Sequence, residues 1–333
     1  MTTFNVCQFK LFMRDLALIA LCVLPLGGYA QPGAWKPDKA IELIAPSGPG
    51  GAVDLAARQL QRLLVASRVG DVSVVNKVGG AGSVGMTYLN SHPKDGHYLS
   101  LTVGNLLTNP IIGVHPLTYN DLTPIVLLST DYILFAVRSD SPLKSGADII
   151  ARLKKDPSSV SFGLATALGG VGHMATAAAM RSVGVDIRKL KLVVFKSGGD
   201  ATTALLGGHV DVAAAAPPAL LPHIQAGGMR GIAIGAPARQ SGIGAQIPTW
   251  KEQGAPGLVL NWRGIVGPKD LSAAQVTYWE DTLARVTETG EWKQYIEKTV
   301  AEPRFLRSAE FGKFLDEQSA LLRSVLGDLG MVR

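Results

Sequence analysis

From residue 41 onward the chain alternates short apolar runs with longer stretches of helical periodicity. Ile41–Ala45, Val72–Asn76 and Tyr98–Val103 read as strands, and Ile125–Leu128, Ile133–Val137 and Val160–Leu164 continue the series. Leu190–Phe195, Val210–Ala215, Gly231–Ile234 and Trp262–Val266 complete it. A polar break at Ser129-Thr130-Asp131 separates two of the runs. Between them, a helix over about residues 52–66 puts Val53, Ala56, Ala57, Leu60, Leu63 and Leu64 on one face. Further helical patterns fall at Ala147–Leu153, Gly172–Val183, Ala201–Leu206 and Ala219–Ala226. Past Trp262–Val266 the pattern is helical, at Ala273–Val286, Glu291–Thr299 and Ala309–Leu329.

Strands alternating with helices predict an α/β fold with parallel sheets covered on both faces. The nearly all-apolar strands agree, because a sheet buried on both sides has no solvent face to alternate with. A single open sheet of this many strands would approach the usual limit of about ten. Two sheets are therefore expected, as two Rossmann-like lobes around a central cleft and hinge. The expected first lobe joins residues 36–131 to residues 236–333, and the second is 132–235.

The N-terminus follows a different rule. Lys10 and Arg14 precede an apolar run from Leu16 to Leu26, and Gly27-Gly28-Tyr29-Ala30 places small residues before a cut at Gln31. This is the pattern of a secretory signal peptide over residues 1–30, with an apolar run too short for the ~20 residues of a membrane span. A lipid attachment at Cys22 is disfavoured by Leu21 before it. Both cysteines, Cys7 and Cys22, fall inside this segment, so the mature chain is expected to lack disulfides and thiolate chemistry. No later run is long and apolar enough to span a bilayer, and the mature protein is expected to be exported and soluble.

Charge excludes one partner class. The formal net charge is +6, and losing Lys10, Arg14 and Asp15 lowers it by one. The basic residues are scattered without blocks or interleaved aromatics, so nucleic-acid binding is not expected.

The glycines sit immediately after strands and before helices, at the carboxyl ends of the expected sheets, where ligands bind open α/β sheets. Free N–H groups and the positive end of the helix dipole favour an anion there. One such stretch runs from Ser47 through Gly48, Gly50, Gly51 and Ala52 to Asp54. It lacks the lysine of a P-loop, which argues against ATP or GTP. Asp54 reads as a general base or, more simply, as an acid near a helix start. The second stretch contains Gly79, Gly80, Gly82 and Ser83, and Gly80 to Gly85 matches G-x-G-x-x-G. No acid follows the next strand, where Val103 leads to Gly104 and Asn105, so a dinucleotide is not expected. Ser83 also stands in a weakened nucleophile-elbow setting, but no Asp–His pairing accompanies it. No metal-ligand cluster and no cofactor motif is legible. His173, near a helix start, reads either as a ligand contact or as a cap on its own loop, and Lys196 either as cleft-facing or as solvated.

Several motifs then converge. Pro46 to Asp54 with Ala57-Arg58, Asn76 to Gly85, and Pro93-Lys94-Asp95-Gly96-His97-Tyr98-Leu99 resemble, in order, segments of the tripartite tricarboxylate transporter receptors (the Bug receptors). Tyr119 to Ile125, Leu205 to Asp211, Ala226 to Arg230, Ile247 to Gly254 and Asn261-Trp262-Arg263-Gly264 extend the resemblance over nearly all of the mature chain. It implies a type II periplasmic binding protein that delivers a small organic acid to membrane permease subunits and catalyses no reaction. It also implies that amides of the first two loops hold one carboxylate and that the second lobe completes the site. The Asn-Trp-Arg-Gly segment looks like the tricarboxylate-binding branch. The expected contacts from the second lobe are Thr166, Gly170, Lys196 and Ser197, and Arg263 reads either as a bidentate grip on a further carboxylate or as a tie between the lobes. Ser47, Gly170 and Phe195 depart from the family pattern at the expected cleft. An exported hydrolase working through Ser83, and a sensory module using the same clamp, are the competing readings.

Overall fold

The computed structural model describes residues 35–165 and 167–333; the expected signal segment and Thr166 lie outside the described residues. The chain opens with β1 (Ile41–Ala45), α1 (Ala52–Ala66), β2 (Val72–Asn76), α2 (Ser83–Asn90), β3 (Tyr98–Thr102), α3 (Asn105–Ile111) and β4 (Thr123–Asp131). Next come β5 (Leu134–Arg138), α4 (Gly146–Lys155), β6 (Ser161–Ala165), α5 (Val171–Arg181), β7 (Lys191–Phe195), α6 (Gly198–Leu206), β8 (Val212–Ala215), α7 (Pro217–Gln225) and β9 (Met229–Ile234). The last elements are β10 (Asn261–Gly267), α8 (Ala273–Thr287), α9 (Gly290–Lys298), β11 (Glu302–Arg307) and α10 (Ser308–Asp328).

Two sheets form, in the orders β11-β4-β10-β3-β1-β2 and β7-β6-β8-β5-β9. The expectation of purely parallel sheets is corrected. Only β3-β1-β2 and β7-β6-β8 are parallel; β10 runs against β3 and β4, β11 against β4, and β5 against β8 and β9. The parallel trios are the βαβ units that the helical crossovers require. Antiparallel β4, β5, β9 and β10 flank the two stretches of chain that pass between the sheets, and β11 adds an antiparallel edge.

The polar break at Ser129-Thr130-Asp131 is also corrected. These residues continue β4, with Trp262 opposite Thr130 and Arg263 opposite Ser129 on one side, and Glu302 opposite Thr130 on the other. Backbone pairing on both sides decides strand identity there, and side-chain polarity does not. β11 has no counterpart in the apolar pattern. It is an edge strand with largely uncovered side chains, where Pro303 is tolerated.

The predicted face of α1 is buried at Ala56, Ala57, Leu60, Leu63 and Leu64. One apolar cluster runs through both sheets, from Ile44, Leu127 and Trp262 to Phe162, Leu164 and Ala214. Helix α5 carries it across. Every residue from Gly172 to Met180 is buried, because this helix lies on β6 and β8 and is covered by α10. An Arg181–Asp328 ion pair, and the Arg188 Nε that donates to the Asp328 carbonyl at 2.7 Å, close the far side of that contact. Trp262 stands edge-on to Phe311 and Phe314 at 5.8 and 5.9 Å, and Gly264 leaves room for the Phe311 ring.

Both connections between the sheets meet one carboxylate. Tyr132, on the passage from β4 to β5, donates to Glu302 at 2.6 Å, and Gln240, on the return, donates to it at 3.1 Å. Further along the return, Gly257 lies against the backbone of α5, where a Cβ would stand 2.5 Å from the Ala178 carbonyl carbon. Because backbone cannot swing aside as a side chain can, Gly257→Ala is expected to cost about 2–3 kcal/mol, the upper part of the overpacking range. Urea unfolding of the variant beside the wild type measures it.

Candidate functional site

Six connections leave the carboxyl ends of the parallel strands, three from each sheet. Their order follows from βαβ topology, in which each strand ends where the next helix begins. Two of these loops nearly touch across the sheets: a Cβ on Gly104, after β3, would lie 3.2 Å from Val171 in the first turn of α5.

The first loop is built around Asp54, which is 1% exposed. Its carboxylate accepts from the Gly50 amide at 2.8 Å, from Asn76 Nδ2 at 2.8 Å and from Arg58 Nε at 2.9 Å. Burial works to raise its pKa, but the hydrogen bonds from Arg58, Asn76 and Gly50, together with the Arg58 charge, outweigh burial and hold it below the usual value. Asn76, the last residue of β2, also donates to the Ser47 carbonyl at 3.0 Å and so fastens the loop to the neighbouring strand. Asp54 therefore shapes the loop from within, and the wall it builds consists of Ser47, Gly48, Gly50, Gly51 and Ala52. Among the described residues, no group accepts from the Ala52 or Val53 amides.

The second loop bends through four successive positive φ angles, at Gly79 (129°), Gly80 (53°), Ala81 (52°) and Gly82 (96°). The Gly82 amide closes this bend on the Gly79 carbonyl at 2.9 Å. Ala81 bears a side chain in this region, a strain on the order of 1 kcal/mol. Two asparagines of α3, one turn apart, hold it there. Asn105 donates to the Ala81 carbonyl at 3.2 Å, and Asn109 reaches the carbonyls of Gly80 and Ala81 and the Ser83 hydroxyl at 3.3, 3.2 and 3.0 Å. With the Gly80 carbonyl drawn to Asn109, peptide planarity turns the Ala81 N–H the opposite way. Ser83 is buried with its hydroxyl engaged by Asn109, which makes it loop architecture in place of a poised nucleophile.

On the facing sheet, Gly170 begins α5 without a side-chain cap, and no group among the described residues accepts from the Val171 or Gly172 amides. His173 is 3% exposed, and its Nδ1 accepts from the Gly169 amide at 2.9 Å. The ring proton therefore sits on Nε2, which is buried without a partner. Burial pushes the ring down to about 4, so it is neutral at physiological pH. Of the two sequence readings, the local cap is the contact observed. Ser197 caps α6 and is engaged with Asp200, accepting from its amide at 3.1 Å and donating to its carboxylate at 3.0 Å. Lys196, next to it, is exposed and forms no ion pair among the described residues.

For Arg263, the tie is the contact observed. It lies on β10 with its side chain 7% exposed and ion-paired to Asp131, whose own side chain is 1% exposed. Burial opposes its charge, and the Asp131 carboxylate beside it outweighs burial and keeps it protonated. The pair leaves Arg263 Nε and Asp131 Oδ1 buried without a hydrogen-bond partner among the described residues. The structure thus gathers Ser47–Ala52, Gly79–Ser83, Gly104 and Gly170 at neighbouring loops, sets Lys196 and Ser197 just past β7, and places Arg263 on β10 beside the end of β3, engaged with Asp131. Asn76, Asn105, Asn109 and the Ala81 amide were missed. The i,i+4 spacing of Asn105 and Asn109 behind a strand was the available signal.

Helix caps differ between crevice and periphery, with α6, capped by Ser197, the exception in the crevice. Peripheral α4, α8 and α9 carry Ser145, Ser272 and Thr289 as side-chain caps, and the first amide of α10 donates to Glu280 at 2.7 Å. In the crevice, α1, α2, α3 and α5 begin at Gly51, Gly82, Gly104 and Gly170 with no side-chain cap. Dipole ends and N–H groups left open there attract an anion. Among the described residues, no cluster of three His, Cys, Asp or Glu side chains could hold a metal.

Two mixed sheets joined by two passages, with open helix N-termini at their facing carboxyl ends, define a type II periplasmic binding protein, the fold of solute receptors. The chain belongs to the tripartite tricarboxylate transporter family receptors, whose family model matches residues 56–331. It is 30% identical over 262 residues to protein BugT of Bordetella pertussis, an alignment covering 77% of this chain and 79% of that protein. Among solved structures, it matches an R. palustris protein determined with adipate (TM-score 0.79, 23% identity, 89% of this chain and 99% of the other). MatC from Rhodopseudomonas palustris, determined with malate, gives a TM-score of 0.75 at 20% identity over 87% of this chain and 99% of the other.

Two measurements check this geometry. Removing the Arg263 side chain leaves the Asp131 charge buried alone, so Arg263→Ala is expected to lose about 3–5 kcal/mol of stability in urea unfolding. A ligand-gripping role would instead lower affinity at unchanged stability. His173 titrates at about 4 when folded, against 6.5 for the free side chain. The unfolded chain then takes up a proton first, so stability that is complete above the free value falls as pH drops toward about 4. The loss from this ring is roughly 3 kcal/mol, and comparing His173→Gln with the wild type across that window isolates it.

Proposed function

We propose that this chain is a non-catalytic periplasmic receptor that captures a small organic acid and delivers it to the permease subunits of a tripartite tricarboxylate-type transporter. The observation that carries the reading is the pair of braced loops whose amides are left open at glycine-started helices. A carboxylate oxygen accepting from the Ala52, Val53 and Ala81 amides would gain about 1.5–3 kcal/mol per bond. Four or five such contacts suffice for the ~8 kcal/mol of a micromolar complex after ordering costs. The two similar structures determined with adipate and malate support a carboxylate as the ligand class, and the family assignment supports the transport partner. With Arg263 engaged by Asp131, the case for a tricarboxylate in particular weakens.

We further propose that residues 36–131 and 236–333 form one lobe and 132–235 the other, with ligand held between them, and that residues 1–30 are removed on export. The assignment of strands β1–β4, β10 and β11 to one sheet and β5–β9 to the other supports these limits. The receptor acts as a monomer.

Thermal-shift and calorimetric titration of the mature protein, refolded from denaturant to remove carried-over ligand, tests the reading. At least one di- or tricarboxylate is expected to stabilise the protein saturably without being consumed. Asp54→Asn, which unties Gly50 and Arg58, is expected to weaken that ligand about tenfold or more, ~1.4 kcal/mol, at an unchanged circular dichroism spectrum. Indifference to every carboxylate would refute the ligand class.

A further inference from the structure

The crevice divides its chemistry unusually: its hydrogen-bonding capacity lies in the backbone and its apolar surface in the side chains. The cations around it are already engaged or remote. Arg58 is paired with Asp54, Lys77 lies 3.8 Å above the Tyr88 ring, Arg263 is buried with Asp131, and His173 is neutral. Of the described cations named for the site, Lys196 remains, and it stands in solvent, where an ion pair contributes little. The polar side chains are turned inward on the protein: Asn76, Asn105 and Asn109 onto loop carbonyls, Ser83 onto Asn109 and Ser197 onto Asp200.

The same loops carry large apolar side chains that the core does not cover. Leu55 (52% exposed) lies in the first turn of α1, Val78 (61%) and Val84 (46%) flank the second loop, and Leu168 (48%) precedes α5. Val171, which begins α5, is half-buried against Gly104. Apolar surface of this kind gains by being covered with hydrocarbon. Among the described residues, the side chains left to a hydroxyl brought there are the solvated Lys196 and Ser47, whose Oγ reaches the Gly48 carbonyl at 3.5 Å, so it gives up its water for weak partners.

We propose that the acid this site selects has an unsubstituted aliphatic or aromatic body, its carboxylate on the open amides and its carbon skeleton against Leu55, Val78, Val84 and Leu168. Hydroxylated di- and tricarboxylates are discriminated against. The inference rests on the carboxylate-receptor reading and names the class of acid within it. A second carboxylate, where present, meets the open amides of α5 and no buried cation.

Matched acids test it, using the refolded mature protein and isothermal titration with succinate, malate, adipate, benzoate and citrate. Succinate and malate differ by one hydroxyl, so succinate is expected to bind about tenfold more tightly. Adipate or benzoate is expected to exceed citrate by at least as much, and Val84→Thr to weaken the preferred long or aromatic acid about threefold. Malate or citrate binding as tightly as its unsubstituted counterpart would overturn the proposal and leave the receptor reading standing. If none of the five acids binds, the receptor reading falls and this proposal falls with it.

Discussion

A single buried carboxylate organises the anion site. Asp54 sits in the first turn of α1, yet it ties together the Gly50 amide, the end of β2 through Asn76, and the second turn of its own helix through Arg58. A carboxylate that accepts three donors can be buried as an anion, and the partners it draws in fix where the first loop lies. With Asn76 also holding the Ser47 carbonyl, the loop's own acceptors face inward and its amides are left facing the crevice. An acid thus builds a site for an acid. Its charge is neutralised locally by Arg58, so the open amides beyond it still present positive dipole ends to a ligand.

The second loop applies the same logic with neutral groups. Four left-handed residues in succession are not a conformation that a free chain retains, and Ala81 is strained there. Asn105 and Asn109 compensate by accepting no role in the crevice themselves and binding the loop's carbonyls from behind. Rigid framing of this kind lowers the ordering cost when a ligand arrives, since the donors are already in place. The facing loop from the other sheet is framed by His173, whose neutral ring accepts from the Gly169 amide.

Between the sheets, continuity is as notable as separation. The apolar cluster passes through α5 and α10, and Glu302 receives both Tyr132 and Gln240 from the two connecting stretches. The buried Asp131–Arg263 pair lies at the same junction, where β4 ends and β10 begins. Polar groups concentrated at this junction, with apolar packing beside it, fix the relative placement of two strands that would otherwise share only backbone bonds. These features explain why the Asn-Trp-Arg-Gly segment is a junction element: Trp262 packs on α10 and Arg263 meets Asp131 on the opposite face of the same strand.

Periodicity and glycine placement carried much of the design in one dimension. The alternation of strands and helices gave the α/β class, the apolar face of α1 was readable at Ala56, Leu60 and Leu63, and glycines after strands marked where an anion would be met. These features are local: each depends on side-chain spacing or on the φ freedom of one residue. What the sequence left open was every feature decided by neighbours distant in the chain. β11 is a strand because β4 lies beside it, and Ser129-Thr130-Asp131 are strand residues because pairing on both sides satisfies their backbone. Ser83 became architecture when Asn109 reached it, and Arg263 became structural when Asp131 did. A guanidinium reads alike in sequence whether it faces a ligand or a buried aspartate, because its role is set by what it touches. Only the tertiary structure brings that partner within hydrogen-bonding distance.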